Sequence, residues 1–419
     1  MGLINPLAAV IVAFSILGVM LYRHVKIGIA LNSTAILLAL LAVDWVKIPE
    51  ILWTSVNPLT LEGQLTLSIV FSTFGVMWMS QLYKDTGALQ ELSESLGKII
   101  RNPKIILSVL PAVVGLLPVP GGALMSAPVV DSEAERLKLS AEKKVYANLW
   151  FRHITLPIYP LSPVFIITIA LTGITAASLI GLQIPIVAVM MLVGYITSFR
   201  RRNAPEPLNN GSKRLANANL KAFLKSFTPI LATIVGAISI GLAWRDLSRR
   251  GIDVLVATVM GITILAAISK ARPRTVVNSL RSRMIYDITL ATYGAFLLRG
   301  VVNASGFSEV FKNLVVNGNI DILWLMIAIP TVFSFLTGSP SSGVIICASI
   351  LGGILSFTPK AVVLIYMGAY LGYMIAPTHL CFTFTAEYFK TPLGRAYRQL
   401  IPSFIASFAA VLLLYSLPF

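Results

Sequence analysis

Two short clusters of proline, glycine and serine interrupt long apolar runs and are the first candidates for chemistry. Residues 118–122 read Pro-Val-Pro-Gly-Gly, and residues 338–343 read Gly-Ser-Pro-Ser-Ser-Gly. Each cluster should end one short helix and begin another, and a helix N-terminus presents unpartnered N–H groups and about half a positive charge. Two such ends that meet would bind a carboxylate, although both clusters could instead be packed turns. The substrate-binding candidates in and beside the clusters are Pro120, Gly121, Gly122, Ala123, Ser339, Pro340, Ser341, Ser342 and Gly343.

The apolar run that follows each cluster is itself interrupted by proline. Three prolines spaced by three, beginning at Pro157, lie in the run near 146–173, and Pro377 lies in the run near 360–388. Because proline removes a backbone donor and clashes with the preceding turn, both runs should be broken helices. Carbonyls freed at such breaks can coordinate Na⁺. The candidates at the breaks are Asn148, Arg152 and Thr378 for substrate binding, and His153, His379 and Thr383 for ion or proton coupling.

Ionisable residues inside an apolar span are costly and are therefore functional candidates. Arg152 could form a two-pronged pair with a substrate carboxylate, or its side chain could extend to the cytoplasmic surface. His153 follows it directly. His379 has no acidic residue nearby in the sequence, so it could shuttle a coupling proton. We expect instead that a neutral His379 makes a structural hydrogen bond to a carbonyl.

The composition identifies the solvent that surrounds these elements. Of 419 residues, 56% are hydrophobic and only 12% are charged, whereas about 25% are charged in an ordinary soluble domain. The chain is therefore an integral membrane protein. Its net charge of +16 indicates basic cytoplasmic loops and contact with anionic lipid. It does not indicate nucleic acid, because no basic stretch is interleaved with aromatic residues.

Ten runs are long enough for the roughly 20 apolar residues that a spanning helix needs. They lie near 6–22, 28–46, 64–83, 146–173, 180–198, 227–244, 252–269, 285–302, 360–388 and 399–417. Two further runs, 105–130 and 322–356, contain the proline and glycine clusters and are predicted to be re-entrant hairpins. With that count, the basic loops share the cytoplasmic face, and both termini are extracellular at a plasma membrane. The first run lacks a charged leader and is predicted to be a retained helix.

A weak internal repeat organises these elements. A shift of 219 residues aligns the two clusters and the prolines of the two hairpins. Each half has five predicted crossings, so the halves should have opposite orientations, as in secondary transporters. The predicted units are a first repeat over 1–205, a basic cytoplasmic linker over 206–226 and a second repeat over 227–419.

This all-α pattern resembles the ion transporter superfamily of secondary carriers. Within it, residues 118–126 together with 148–153 look most like an uncharacterised prokaryotic integral-membrane family. The resemblance implies a scaffold domain that dimerises and a transport domain that slides as an elevator, with substrate held at the hairpin tips. The sodium-coupled dicarboxylate carriers of the superfamily have a Ser-Asn-Thr triplet at each tip, which this chain lacks.

The leading hypothesis is a secondary carrier for a small organic anion, a carboxylate, coupled to H⁺ or Na⁺. The expected partners are that anion, the coupling ion, membrane lipid and a second copy of the chain, and no cofactor or metal is expected. A monovalent cation/proton antiporter is an alternative, but its candidate carboxylates, Asp287 and Glu387, lie outside the breaks. An intramembrane enzyme or a membrane-embedded partner subunit is a further alternative. It would need a nucleophile or metal site, which three scattered histidines and two cysteines do not suggest.

Overall fold

The computed structural model describes residues 3–23, 25–100, 102–117, 123–200, 213–318 and 321–418. These residues fold as helices joined by short turns, without a strand, so the all-α class is confirmed. The first predicted hairpin tip, 118–122, lies outside the described residues, and so do the candidates Pro120, Gly121 and Gly122.

Each half of the chain contains long helices, short amphipathic helices, a helical hairpin and a broken helix. The helices up to residue 200 are α1 (Pro6–Tyr22), α2 (Ile27–Ala42), α3 (Ile48–Thr54), α4 (Leu61–Asp85), α5 (Ala88–Ile99), α6 (Pro103–Gly115), α7 (Ala123–Arg136), α8 (Ala141–His153), α9 (Pro163–Thr172) and α10 (Ala176–Phe199). Those after residue 212 are α11 (Lys213–Ala243), α12 (Arg245–Arg249), α13 (Ile252–Ile268), α14 (Pro273–Ser279), α15 (Arg283–Ala304), α16 (Phe307–Asn317), α17 (Ile322–Thr337), α18 (Pro340–Leu351), α19 (Pro359–Met374), α20 (Leu380–Tyr388) and α21 (Leu393–Ser416).

Every predicted span is occupied by helix, and the chain is a polytopic membrane protein. Among the described residues, six helical segments are long and apolar enough to cross a membrane. They are Leu61–Asp85, Ala141–Thr172, Ala176–Phe199, Asn219–Ala243, Arg283–Ala304 and Leu393–Ser416. The other apolar helices are shorter, so the count of ten spans stays a prediction.

Two boundaries differ from the sequence prediction. The predicted linker 206–226 is helical from Lys213 onward, because its alanines, leucines and lysines are strong helix formers even where the sequence is not apolar. The predicted span 28–46 ends as a helix at Ala42, because Val43 is extended and the side chain of Asp44 accepts from the N–H of Val46 to start a short 3-10 turn.

The hairpin limbs are short and begin at defined caps. The limbs of the first hairpin, α6 and α7, have 13 and 14 residues, and those of the second, α17 and α18, have 16 and 12. Asn102 caps α6 and Asp321 caps α17, each through its side-chain oxygen. At about 1.5 Å per residue, α18 extends roughly 18 Å, less than the roughly 30 Å of a bilayer core.

The helices pack in two groups. One group contains α1, α2, α4, α11, α13 and α15, and the other contains the hairpins, the broken helices, α10 and α21. Within the second group, α6 packs on α8 and α17 packs on α19, whereas α7 packs on α20 and α18 packs on α9. Each hairpin therefore contacts the broken helices of both halves. The two groups meet where α9 packs on α4, α18 packs on α15 and α17 packs on α1, and α5 packs on both α11 and α6.

Candidate functional site

The two helix breaks meet at a pair of histidines. The first broken helix stops at His153, and its second part, α9, starts after Ser162, whose hydroxyl accepts from the N–H of Phe165. The second stops at Met374, and α20 starts directly after His379. The ring centroids of His153 and His379 lie 4.7 Å apart in an edge-to-face arrangement. The candidates predicted at each break are thus neighbours across the two halves.

Tyr373 holds the ring of His153 in one orientation. The Nδ1 of His153 lies 2.8 Å from the carbonyl oxygen of Leu149, and its Nε2 lies 3.1 Å from the hydroxyl of Tyr373. A carbonyl only accepts, so Nδ1 carries the proton, and the tyrosine hydroxyl donates to Nε2. The Tyr373 ring also lies 3.9 Å from the ring of His379.

Tyrosine hydroxyls donate hydrogen bonds to main-chain carbonyls that the helix breaks leave without an α-helical partner. Tyr370 donates to the carbonyl of His153 at 2.8 Å, and Tyr366 donates to that of Leu156 at 3.0 Å. Tyr397 of α21 donates to the carbonyl of Ile375 at 2.8 Å. The carbonyl of Leu156 also accepts from the N–H of Tyr159 at 3.3 Å. Of these three carbonyls, which the sequence marks as possible Na⁺ ligands, those of His153 and Ile375 thus keep one lone pair for a further partner. The tyrosines fix the breaks in position.

Arg152 is buried beside the end of the first hairpin limb. Its side chain is 3% exposed, and its guanidinium donates to the carbonyl of Leu117, just beyond α6, at 3.4 Å. The charge lies at the C-terminal end of α6, where the helix dipole favours a cation. The backbones of α6 and α8 pack closely at this point. A Cβ built on Gly115 would lie 1.9 Å from the carbonyl oxygen of Arg152. The sequence also allowed the side chain of Arg152 to extend to the cytoplasmic surface. In the structure this side chain is buried instead.

Asn148 connects three helices one turn before the break. Its Nδ2 donates to the carbonyl of Ala123 at 2.9 Å, and its Oδ1 accepts from the hydroxyl of Ser126 at 2.6 Å. The same Nδ2 lies 3.3 Å from the hydroxyl of Thr385 in α20. All these groups are buried. Asn148 and Ala123 therefore join the start of α7 to both broken helices.

The second hairpin turns against the second break. Gly338 ends α17 with a φ of +62°, and a Cβ on it would lie 2.6 Å from the carbonyl oxygen of Thr378. The hydroxyl of Thr378 donates to the carbonyl of Phe335 at 3.1 Å. On the other limb, a Cβ on Gly343 would lie 2.3 Å from the carbonyl oxygen of Pro330. Both glycines permit backbone contacts that a larger residue would prevent.

The serines of this tip fall into two sets. Ser342 is buried, bonds to the hydroxyl of Thr337 and donates to the carbonyl of Ser339 at 2.7 Å. The hydroxyls of Ser339 and Ser341 are partly exposed, and neither has a hydrogen bond within the described part of the chain. Pro340 is the first residue of α18, so its missing N–H costs no helical bond there. Two hydroxyls are thus available at the start of α18.

His379 is buried, and the structural hydrogen bond expected for it stays a prediction. Its side chain is 1% exposed and its ring lies near the main-chain carbonyl of Met374, but neither ring nitrogen makes a hydrogen bond of ordinary geometry among the described residues. Thr383 does not supply one, because its hydroxyl donates to the main-chain carbonyl of His379 at 3.0 Å. Cys381, in the first turn of α20, brings its thiol close to both histidine rings.

Sequence reasoning missed the tyrosines and the cysteine at this centre. Tyr366, Tyr370 and Tyr373 are spaced by four and three residues, which places them on one face of α19. That pattern could have marked α19 as the partner of the first break. Cys381 carried no such signal, because His153, which completes the cluster with His379, comes from the other half of the chain.

Carboxylates lie away from the breaks. Among the described residues, Asp253 is the buried carboxylate, 8% exposed, and it sits in the first turn of α13, facing Gly241. Asp287 accepts from the N–H of Gly28 at the start of α2, at 3.2 Å, and Glu387 is exposed. The expectation that Asp287 and Glu387 lie outside the breaks is met.

Comparison with known proteins assigns the chain to a family. A family model described as a protein of unknown function, DUF401, matches residues 6–417. The chain belongs to the DUF401 family. A search of curated proteins finds no match to this DUF401 chain.

Two solved structures are similar to the DUF401 chain. The YdaH transporter of Alcanivorax borkumensis has 12% sequence identity and a TM-score of 0.60, with 89% of this chain and 88% of that one covered. MtrF of Neisseria gonorrhoeae, described among antimetabolite efflux pumps, has 13% identity and a TM-score of 0.46, with 88% and 82% covered. At this identity the likeness to YdaH shows a shared fold.

Proposed function

We propose that this chain is a secondary active transporter of a small organic anion that carries a carboxylate. The observation that carries the proposal is the buried charge at the centre, where Arg152 stands between the first hairpin and the paired breaks. The fold shared with the YdaH transporter supports transport as the activity.

The charge balance at the breaks favours an anion over a cation. Arg152 contributes a positive charge, and the described carboxylates Asp253, Asp287 and Glu387 lie elsewhere. The sequence 118–122 at the first tip contains no acidic residue. A cation/proton antiporter would need a carboxylate here, so the charge balance weighs against that alternative. A substrate carboxylate could pair with the guanidinium of Arg152 in a two-pronged geometry.

The second hairpin offers hydrogen-bond donors for the same anion. The hydroxyls of Ser339 and Ser341 lie at the N-terminus of α18, where the helix dipole favours negative charge. Thr378, whose carbonyl touches Gly338, connects this tip to the histidine pair. In the proposed site, Arg152 and the donors of the second tip bind the substrate from opposite sides.

Two histidines at the breaks favour H⁺ over Na⁺ as the coupling ion. Main-chain carbonyls of His153 and Leu156 already accept from tyrosines, whereas neither ring nitrogen of His379 makes a hydrogen bond of ordinary geometry among the described residues. A proton needs only one lone pair, which a ring nitrogen of His379 offers. The proposed carrier thus moves its anion together with protons, and Thr383 supports the position of His379.

Membership of the ion transporter superfamily, with two inverted repeats, is part of this proposal. In this arrangement 1–205 and 227–419 are the repeats, both termini are outside the plasma membrane, and the first packing group is the scaffold of a homodimer. The group of hairpins and broken helices would move as an elevator. It meets the scaffold at α4–α9, at α15–α18 and at α1–α17, which are among the surfaces that must slide.

A disulfide across α15 and α18 is expected to stop transport, because it would join the fixed group to the moving one. One cysteine is placed in each helix at positions whose Cβ atoms come within disulfide distance. Uptake is measured after oxidation and again after reduction. A matched pair across α17 and α19, which belong to one group, should leave uptake intact. Full uptake in a completely cross-linked α15–α18 variant would contradict the elevator.

Uptake of carboxylates into proteoliposomes tests the function itself. The purified chain is reconstituted and supplied with a panel of labelled mono-, di- and tricarboxylates under a proton gradient, a sodium gradient or neither. We expect uptake of one class of carboxylate that requires the proton gradient and is absent from empty vesicles. Transport of monovalent cations with no response to any carboxylate would support the antiporter and reject the proposal.

A further inference from the structure

We infer that His153, His379 and Cys381 form a binding site for a soft transition-metal ion of the Zn²⁺ type. This inference does not rest on the transport proposal, because metal binding needs neither a gradient nor a substrate. A bound ion would occupy the lone pair that the proposed proton coupling uses, so the histidines serve one role at a time. The three residues come from the two breaks: His153 ends α8, His379 precedes α20, and Cys381 lies in the first turn of α20.

The ligand atoms are close enough for one ion to hold them. One ligand atom from each of the three residues lies within 4.8 Å of the other two. With metal–nitrogen bonds of about 2.1 Å and a metal–sulfur bond of about 2.3 Å, ligand atoms in a tetrahedral site are roughly 3.5 Å apart. Binding an ion would draw these atoms together by about 1 Å, through rotation of the side chains of His379 and Cys381.

His153 is already prepared as a metal ligand. Its Nδ1–H donates to the carbonyl of Leu149 at 2.8 Å, which leaves the lone pair of Nε2 as the coordinating position. Metal-binding histidines usually donate their second ring N–H to a carbonyl or carboxylate in this way, which fixes both tautomer and orientation. The hydroxyl of Tyr373, 3.1 Å from Nε2, would give up that contact to the ion.

The burial of the His379 ring is a second, independent observation that supports a metal ion at this site. It is 1% exposed, and within the described part of the chain neither of its ring nitrogens makes a hydrogen bond of ordinary geometry, the Met374 carbonyl being the backbone acceptor near the ring. A buried polar group without a well-formed hydrogen bond destabilises the fold. The ring of His379 lies 4.7 Å from that of His153, so an ion between them would provide the partner that the protein does not.

Cys381 determines the chemical class of the ion. Thiolate together with imidazole selects Zn²⁺ or copper over the hard ions Na⁺, Mg²⁺ and Ca²⁺. Binding as thiolate releases the thiol proton, and the positive end of the α20 dipole stabilises the resulting negative charge. The thiolate also offsets part of the positive charge that Arg152 adds nearby. Three protein ligands leave one tetrahedral position for water or an anion.

Titration of the purified full-length chain with Co²⁺ tests the site. The protein, with its affinity tag removed and metals stripped by a chelator, is kept in detergent, and Co²⁺ replaces Zn²⁺ as a visible probe. We expect one Co²⁺ per chain, a thiolate-to-cobalt charge-transfer band in the near ultraviolet, and loss of that band when Zn²⁺ is added.

Two matched variants decide whether Cys381 is the ligand. Cys381→Ser should abolish the charge-transfer band and weaken Co²⁺ binding at least about a hundredfold, since even outer-shell partners of a metal site contribute 10- to 100-fold. His379→Gln should weaken binding similarly. Cys347→Ser removes the other buried cysteine, on α18, and should leave both band and affinity unchanged. Failure to bind Co²⁺, or an unchanged band in a monodisperse Cys381→Ser protein, would overturn the inference.

Discussion

Replacing Gly115 by alanine is expected to prevent the first hairpin from packing against the broken helix. The added Cβ would lie 1.9 Å from the carbonyl oxygen and 2.9 Å from the carbonyl carbon of Arg152. Both are backbone atoms of a buried helix, so neither can rotate away. Overpacking typically costs 1–3 kcal/mol, and a contact this short belongs at or above the upper end. We expect the midpoint of thermal unfolding, followed by size-exclusion chromatography after heating, to fall by several degrees.

Gly181→Ala in α10 is the matched control. A Cβ there meets nothing within 4 Å, and alanine is better than glycine inside a helix by about 0.5–1 kcal/mol. The control should therefore unfold at the same temperature or slightly higher. Equal unfolding temperatures for Gly115→Ala and Gly181→Ala would show that α6 and α8 do not approach so closely.

Replacing Arg152 by glutamine is expected to abolish concentrative uptake of the carboxylate. Glutamine keeps hydrogen-bonding capacity toward Leu117 but removes the positive charge from the centre. A hydrogen bond to a charged group contributes about 1.5–3 kcal/mol, so the affinity for the anion should fall roughly 10- to 100-fold. Affinity is measured as the substrate concentration that gives half-maximal thermal stabilisation, and uptake is measured in proteoliposomes.

The controls for Arg152 separate charge from folding. Arg152→Lys keeps the charge without the two-pronged geometry and should retain part of the affinity. Arg250→Gln removes an exposed arginine next to α12 and should leave affinity and uptake unchanged. A monodisperse Arg152→Gln protein that still takes up the carboxylate at the parent rate would remove the central support for an anion carrier.

Much of the secondary structure could be predicted, because it depends on local chemistry. Proline and glycine clusters locate the second hairpin turn, and prolines at 157 and 377 locate both breaks, since a backbone without a donor cannot continue a helix. The short amphipathic helices α5 and α16 were not foreseen. Their charged faces lower the mean hydropathy below that of a span, so a search for apolar runs passes over them.

The site could be predicted only in part, because its contacts are long-range. Arg152, His153 and His379 were recognisable as polar residues in apolar runs, but nothing local indicates that two of them touch. Asn148 was recognised as a candidate, whereas its partners Ser126 and Thr385 were not. Such pairings depend on how α7, α8 and α20 cross, and a single sequence does not encode that in any short-range pattern.

The tyrosines of α19 have a consequence for biogenesis. Ribosomes deliver the chain from its N-terminus, so α8 and α9 enter the bilayer long before Tyr366 and Tyr370 exist. Until Tyr370 arrives, the carbonyl of His153 lacks the donor that it has in the finished protein, whereas that of Leu156 has the N–H of Tyr159. Each unsatisfied backbone group in hydrocarbon costs several kcal/mol. The nascent first half must therefore keep its interruption hydrated, or sheltered by the insertion machinery, until the last quarter of the polypeptide has been translated.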